Sequence, residues 1–247
     1  MDSPLRLLTS AAGIIAAGLL IVGCTGTPGS GAPTSSSAPS AGSEAATDDD
    51  ADDIEGALLD DGVMFAVITT GSSTCVPQVG EVSADGQTVT VTLVDPEGDD
   101  GEAAACTKDL VPRASLGELP AGVDPTAEIT LQVTYGDLRD DVELDGDPQA
   151  TGTSGLDSGT PSAAWFDDGG LVLLSWGSSG CAPVVESLEA SATAGMVTFV
   201  TDDEQICTMD MAPRATVLDF GDDVVDDDVP FTLTLVGGGL DGTLQVG

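Results

Sequence analysis

The sequence predicts an all-β protein made of two tandem, homologous antiparallel β-sandwich or barrel modules, each with one disulfide, after a disordered tether. Three observations support this prediction: apolar residues recur at every second position, a large part of the chain is duplicated, and cysteines occupy corresponding places in the two copies. We expect five to seven strands in each module. No stretch after residue 23 has the apolar spacing of a helix.

Three blocks of the sequence occur twice, in the same order. A Gly-Ser-Ser turn that leads to a cysteine begins at Gly71 and again at Gly177, and a Cys-Thr block begins at Cys106 and again at Cys207. The third block, residues 129–133, matches residues 231–235. The duplication predicts modules at residues 57–145 and 164–247. Residues 146–163, rich in Gly, Ser, Thr, Asp and Pro, are expected to link them.

Strands within the modules are predicted from alternation and from turns. Residues 88–93, 129–134 and 231–235 alternate apolar with polar side chains, as half-buried strands do. The denser apolar runs at 64–68 and 171–174 predict a strand that opens each module and is covered on both faces. Glycines at 136 and at 237–239 predict a hairpin before the last strand. With only 5 Phe, 2 Trp and 1 Tyr, the cores are expected to consist mostly of Val, Leu and Ile.

The five cysteines divide into one near the N-terminus and two in each module. The duplication favours the bridges Cys75–Cys106 and Cys181–Cys207 within the modules. The two other pairings of these four cysteines would link the modules to each other, and they remain open. Each intramodule bridge would constrain the unfolded chain by about 3.5 kcal/mol, comparable to the whole stability of a small domain.

The N-terminal segment resembles the signal peptide of bacterial lipoproteins. An apolar stretch at residues 7–23 follows Arg6 and ends in Ile21-Val22-Gly23-Cys24. In that family, such a box precedes a cysteine that is diacylated and becomes the new N-terminus after cleavage. The resemblance implies that residues 1–23 are a signal peptide, that Cys24 is lipidated, and that the chain is exported and anchored to the outer face of the cell membrane. The alternative is an uncleaved transmembrane anchor.

Residues 24–56 begin with the predicted lipidated cysteine and continue as a segment rich in Ser, Thr, Pro and Asp. Such a composition cannot bury a core, so we expect a disordered tether. The Lys-poor composition of the modules, rich in Ala, Asp, Gly and Val, together with the cysteine spacing, resembles that of lipoproteins of high-GC actinobacteria. This resemblance implies no activity.

Charge and the lack of histidine exclude several classes of function. The chain has 43 acidic and 5 basic residues and a net charge of −38, which opposes binding to nucleic acid. Without histidine there can be no Ser-His-Asp triad and no His-ligated zinc. We therefore expect a membrane-anchored exported protein with a non-catalytic role in binding or at the envelope, with cell-wall or envelope components as partners. The alternatives are a carboxylate-based enzyme such as a glycosidase, and a calcium-dependent adhesion module.

The sequence contains two sets of candidate site residues, and none of these residues is predicted to be catalytic. Asp109 and Arg113 recur as Asp210 and Arg214, which predicts a structural ion pair or a carbonyl-capping arginine, with an anion-binding arginine as the alternative. Calcium is the one cofactor that the sequence suggests. Its weak candidate ligands lie in an acidic turn and in a segment similar to the first half of an EF-hand loop: Asp95, Glu97, Asp99, Asp141, Glu143 and Asp145. Trp165 and Trp176 are expected to pack in the core, with a binding platform as the alternative.

Overall fold

The computed structural model describes residues 53–98, 104–155, 159–202, 204–221 and 223–247. The predicted signal peptide, Cys24 and nearly all of the predicted tether lie outside these residues. Within them, the chain folds entirely through β-strands and turns, with a 3-10 turn at Asp60–Gly62. The all-β prediction is therefore confirmed.

Among the described residues, each module contains seven strands, at the upper end of the predicted number. In the first module the strands are β1 (Glu55–Leu59), β2 (Met64–Gly71), β3 (Gln78–Asp85), β4 (Thr88–Val94), β5 (Val111–Glu118), β6 (Ile129–Tyr135) and β7 (Leu138–Leu144). In the second they are β8 (Ser162–Asp167), β9 (Gly170–Gly177), β10 (Val185–Ser191), β11 (Ala194–Phe199), β12 (Ala212–Asp219), β13 (Phe231–Val236) and β14 (Gly242–Val246).

Both modules are sandwiches with the same topology. A three-stranded sheet, β1-β2-β5 or β8-β9-β12, packs on a four-stranded sheet, β3-β4-β6-β7 or β10-β11-β13-β14. The predicted hairpins join β6 to β7 and β13 to β14. In each four-stranded sheet one pair, β4 with β6 or β11 with β13, is parallel, although all other pairs are antiparallel. The duplicated sequence thus encodes a duplicated fold.

The second strand of each module is covered on both faces. In β2, Phe65 and Val67 point into the core of the first module, whereas Ala66 and Ile68 join a separate apolar cluster with Leu174 of β9. Covering on both faces is as predicted for residues 64–68 and 171–174. The prediction that these runs form the first strand of each module is wrong, because an edge strand with a less apolar sequence, β1 or β8, precedes each of them.

This third cluster docks the two modules on each other. Equivalent strands meet across it, β1 with β8 and β5 with β12. Each of these strands carries an alanine at the same register position in the cluster: Ala57 and Ala164 in the first pair, Ala114 and Ala215 in the second. Small side chains allow the two sheets to approach closely, and like surfaces meet as they do in a symmetric dimer.

The linker is bound to the first module through the 3-10 turn. Asp60 and Asp61 both adopt left-handed backbone angles, with φ of 53° and 55°, which are uncommon for residues other than glycine. The Asp61 carboxylate accepts the backbone N–H of Thr151 at 3.1 Å, and Asp60 accepts the Ser154 hydroxyl at 2.7 Å. Because the strained turn points both carboxylates at the linker, these hydrogen bonds offset the cost of the backbone conformation.

Candidate functional site

A disulfide fastens the turn after the second strand in each module. The bridges are Cys75–Cys106 and Cys181–Cys207, with Cα–Cα distances of 5.5 Å in both. They confirm the pairing that the duplication favours. Each bridge holds the Gly-Ser-Ser turn against the segment that leads into β5 or β12, and the two candidate arginines lie beside these turns.

Each arginine caps backbone carbonyls of its disulfide turn. Arg113 is only 8% exposed, and its guanidinium donates to the carbonyl of Cys75 at 2.5 Å and to the Thr69 hydroxyl at 3.2 Å. Arg214 donates to the carbonyl of Cys181 at 2.9 Å and to that of Trp176 at 3.0 Å. These contacts match the carbonyl-capping expectation for both arginines.

The two aspartates bind the same turns from the other side. Asp109 accepts the backbone N–H of Ser73 at 3.3 Å and the hydroxyl of Thr107. Hydrogen bonds from Ser73 and Thr107 lower the pKa of Asp109 to about 2. Asp210 makes the same contacts with Ser179 and Thr208, which lower its pKa to about 2 as well.

Of the two expected arrangements, the described structure therefore has the carbonyl-capping arginine and not an ion pair of Asp109 with Arg113 or of Asp210 with Arg214. In each module the carboxylate binds N–H and hydroxyl donors, while the guanidinium binds carbonyl and hydroxyl acceptors. Each aspartate lies in the loop before β5 or β12 and each arginine lies within that strand, so the two side chains of a pair contact different parts of the turn.

A glycine lies against each guanidinium, and sequence reasoning missed this role. A Cβ added to Gly71 would lie 2.4 Å from Cζ of Arg113, and one added to Gly177 would lie 2.7 Å from Cζ of Arg214. Any larger residue would displace the arginine. The recurrence of both the glycine and the arginine in the two copies could have indicated that they lie in contact.

In the first module, a tyrosine covers the arginine. The Tyr135 ring centroid is 5.9 Å from Cζ of Arg113, and its hydroxyl accepts a hydrogen bond from the guanidinium at 3.3 Å. The same hydroxyl donates to Asp95 at 2.5 Å. Burial, followed by the hydrogen bond to Asp95, raises the pKa of Tyr135. The phenol thus fills the space over Arg113 and satisfies both a donor and an acceptor.

In the described part of the second module, this tyrosine cover is missing. The register that aligns residues 129–135 with 231–237 places Gly237 where the first module has Tyr135. A cavity of about 290 Å³ lies next to Arg214, whose Nε is buried and has no hydrogen-bond partner in the described structure. Burial lowers the pKa of Arg214.

The cavity is lined by a mixture of apolar and polar groups. Its lining residues include the disulfide and both sides of the turn region: Ser178, Cys181, Ala182, Pro183, Val184, Val200, Thr201, Asp202, Gln205, Cys207, Arg214, Gly238 and Gly239. Ile206, which lies between two lining residues, is 95% exposed, and Met209 is fully exposed. Their counterparts in the first module are Ala105 and Lys108. The exposed surface of this segment is therefore more apolar in the second module than in the first.

A second feature lies in a cleft between the modules. A cavity of about 450 Å³ is lined by Asp53 and Glu55 of the first module and by Phe166 and Asp167 of the second. The pKa of Glu55 is raised, mainly because the side chain is partly buried and also because the negative charges of Asp167, Asp53 and Asp140 lie near it. Sequence reasoning missed this carboxylate cluster because its members lie far apart in the chain and in different modules.

The calcium candidates are not assembled into a site in the described structure. There, no group of three or more His, Cys, Asp or Glu side chains is placed to hold a metal ion. The comparison of residues 141–146 with an EF-hand loop is wrong, because Asp141 and Glu143 belong to the extended strand β7. Asp95 accepts the Tyr135 hydroxyl, and Asp99 lies outside the described residues.

Both tryptophans pack in apolar clusters. Trp165 lies edge-on to Phe231, with ring centroids 5.1 Å apart, in the core of the second module. Trp176 packs against the cluster between the modules. The default expectation of core packing holds for both.

Comparisons of the chain with protein families, with curated proteins and with solved structures found no match. None of the helical segments in the described residues has the length and apolar character needed to span a membrane.

Proposed function

We propose that this protein is an exported lipoprotein, anchored through Cys24, with a non-catalytic binding site in the cavity beside Arg214. One observation carries the binding role. Both modules keep the same disulfide turn and capping arginine, but only in the second does the register replace the covering tyrosine by glycine and leave a cavity there. A fold that holds one copy of a site closed and the other open is consistent with a division into a structural and a binding module.

Anchoring is supported by the sequence near Cys24 and by the cysteine inventory. Four of the five cysteines form the two disulfides, which leaves Cys24 available for acylation. Disulfides of this kind persist in oxidising compartments, which fits an exported chain. Two acyl chains would hold it stably at a membrane, and envelope components are then the nearest partners.

Acyl labelling tests the anchor. Cells that express the full chain are fed an alkyne-bearing fatty acid, and the wild type is compared with Cys24→Ser. We expect label on the wild type and none on the variant. The control is the double variant Cys75→Ala/Cys106→Ala, which removes two other cysteines and keeps the label. A wild-type chain that carries no acyl group would contradict the anchor.

NMR titration tests the binding site. The secreted chain from Thr25 to Gly247 contains both modules and both disulfides, and it is titrated with cell-wall fragments, sugars and metal ions. We expect the amide signals of Gly238 and Gly239, which line the cavity, to shift with at least one of the organic ligands. Shifts confined to other surfaces would contradict this site.

The carboxylate cleft supports a second candidate, a glycosidase. Glycoside hydrolysis uses one carboxyl group with a raised pKa beside an ionised one, and Glu55 beside Asp167 has this character. The test is release of reducing sugar from a polysaccharide panel by the wild type, by Glu55→Gln, and by a control with an exposed strand residue changed, Asp141→Asn. Turnover that is lost only in Glu55→Gln would replace the binding role by catalysis.

A further inference from the structure

We propose that the cavity beside Arg214 binds a phenol, meaning an aromatic ring that carries a hydroxyl group. This inference rests on the proposed binding role and names the ligand class. Such a group occurs in small phenolic compounds and in the tyrosine side chains of polypeptides. The first module provides the comparison, because an internal phenol occupies the equivalent place there.

Tyr135 shows what the space over the arginine accepts. Its ring lies over the Arg113 guanidinium, and its hydroxyl accepts from Arg113 while donating to Asp95. The arrangement combines a cation beside a π face with a hydroxyl that is both acceptor and donor.

The second module keeps the arginine but lacks the ring. Arg214 retains the bond to the Cys181 carbonyl that Arg113 makes to Cys75. Its Nη2 donates to the Trp176 carbonyl at 3.0 Å rather than to a phenol hydroxyl, and its buried Nε lacks the partner that Thr69 gives to Arg113 in the described structure. The cavity of about 290 Å³ is large enough for one ring, since roughly 150 Å³ is enough to hold benzene in a protein core.

The polar groups favour a neutral hydroxyl over an anion. Asp202 lines the cavity together with Arg214, so an acceptor stands near the donor, as Asp95 does in the first module. A hydroxyl can accept from Arg214 and donate to Asp202, whereas a carboxylate can only accept and would be repelled by Asp202 and by the net charge of −38. The anion-binding role considered for the arginine is therefore disfavoured.

The apolar groups favour an aromatic ring over a sugar. Pro183, Val184 and Val200 line the cavity beside the disulfide. A ring buries its faces against such groups while its hydroxyl reaches the polar side. A sugar would expose several hydroxyls to these apolar side chains.

The primary test is titration with p-cresol, the side-chain analogue of tyrosine, followed through the amide signals of Gly238 and Gly239 in the chain from Thr25 to Gly247. We expect saturable shifts. Toluene, which lacks the hydroxyl, should bind at least roughly tenfold more weakly, because a hydrogen bond to a charged group contributes about that factor. Equal affinities for the two compounds would overturn the assignment.

A matched pair of variants tests the location. Val200 is 47% exposed and lines the cavity, and its counterpart in the first module, Val94, is 44% exposed. Val200→Trp should fill the cavity mouth and abolish the p-cresol shifts, whereas Val94→Trp should leave them unchanged. Loss in both variants, or in neither, would overturn the proposed site.

Chemical rescue tests the ligand class without depending on the second module. Tyr135→Ala removes the ring over Arg113 and lowers the melting temperature. We expect p-cresol to restore part of that loss, and toluene to restore less. Absence of any rescue would show that the space over the arginine does not select a phenol.

The source of the phenol is distinguished by a second ligand. If a tyrosine-containing peptide binds more tightly than p-cresol, the partner is a polypeptide, and if it binds more weakly, the partner is a small phenolic compound. Shifts of Gly238 and Gly239 with sugars but not with p-cresol would overturn the phenol and leave the proposed binding role in place. Failure of acyl labelling would remove only the anchor.

Discussion

Truncation of Leu174 to alanine tests whether the two modules depend on each other for stability. Leu174 belongs to β9, is fully buried, and packs in the cluster between the modules with Met64 and Ile68 of the first module. Leu173, its neighbour, is equally buried but faces the core of its own module. Comparing Leu174→Ala with Leu173→Ala therefore distinguishes a loss in the cluster between the modules from a loss in the core of one module.

The magnitude follows from burial. Five large apolar side chains are buried in the shared cluster: Leu59, Met64, Ile68, Val172 and Leu174. At about 1.5–3 kcal/mol each, undocking would cost on the order of 10 kcal/mol as an upper estimate, similar to the stability of a whole domain. Leu174→Ala should itself cost about 3 kcal/mol and lower the melting temperature by roughly 6–12 °C, and Leu173→Ala should do likewise.

The assay uses one spectroscopic probe in each module. Both tryptophans, Trp165 and Trp176, lie in the second module, and the only tyrosine, Tyr135, lies in the first. Tryptophan fluorescence and fluorine NMR of incorporated fluorotyrosine therefore follow the modules separately. We expect coincident transitions that move together in Leu174→Ala. Movement of the tryptophan transition in Leu173→Ala shows that this probe responds to a loss of stability. A Tyr135 transition that nevertheless stays in place in Leu174→Ala would refute the shared core.

Three further predictions concern the disulfide turn of the first module. The double variant Cys75→Ala/Cys106→Ala should lose about 3.5 kcal/mol in denaturant unfolding, because the bridge closes a loop with a sequence separation of 31; an unchanged midpoint would contradict this. NMR titration of the Asp109 carboxyl should give a midpoint near 2, so its contribution to stability is present above the unfolded pKa near 4 and is lost as the pH falls through about 2. A midpoint near 4 would mean that the turn does not hold the carboxylate. Gly71→Ala should destabilise the module, since the new Cβ would lie 2.4 Å from Cζ of Arg113, and thermal unfolding no different from the wild type would contradict that contact.

The fold was largely predictable because its signals are local or repeated. Alternation marked the strands at 88–93 and 129–134, and the duplication selected the disulfide pairs. Strand direction was not predictable, since β4 and β6 alternate in the same way whether they pair parallel or antiparallel. The apolar run at 64–68 indicated cover on both faces, but it did not show that the second cover is the other module.

The site was predictable only in part. Recurrence singled out Arg113 and Arg214, but it left open whether each pairs with an aspartate or caps carbonyls, because that choice depends on how the disulfide turn folds. The exchange of Tyr135 for Gly237 was visible in the register of the two copies. Its meaning depends on the position of the ring over Arg113, which only the three-dimensional structure provides.

NMR of the guanidinium Nε–H groups during titration with p-cresol tests most directly whether the equivalent arginines differ in what covers them. Arg113 donates its Nε–H to Thr69 and has the Tyr135 ring over its guanidinium, whereas the cavity lies beside Arg214. We predict that the Arg214 signal shifts saturably and that the Arg113 signal stays in place. Equal shifts of both signals, or a saturable shift of Arg113 alone, would contradict an open site confined to the second module, and no shift of either would contradict a binding site beside Arg214.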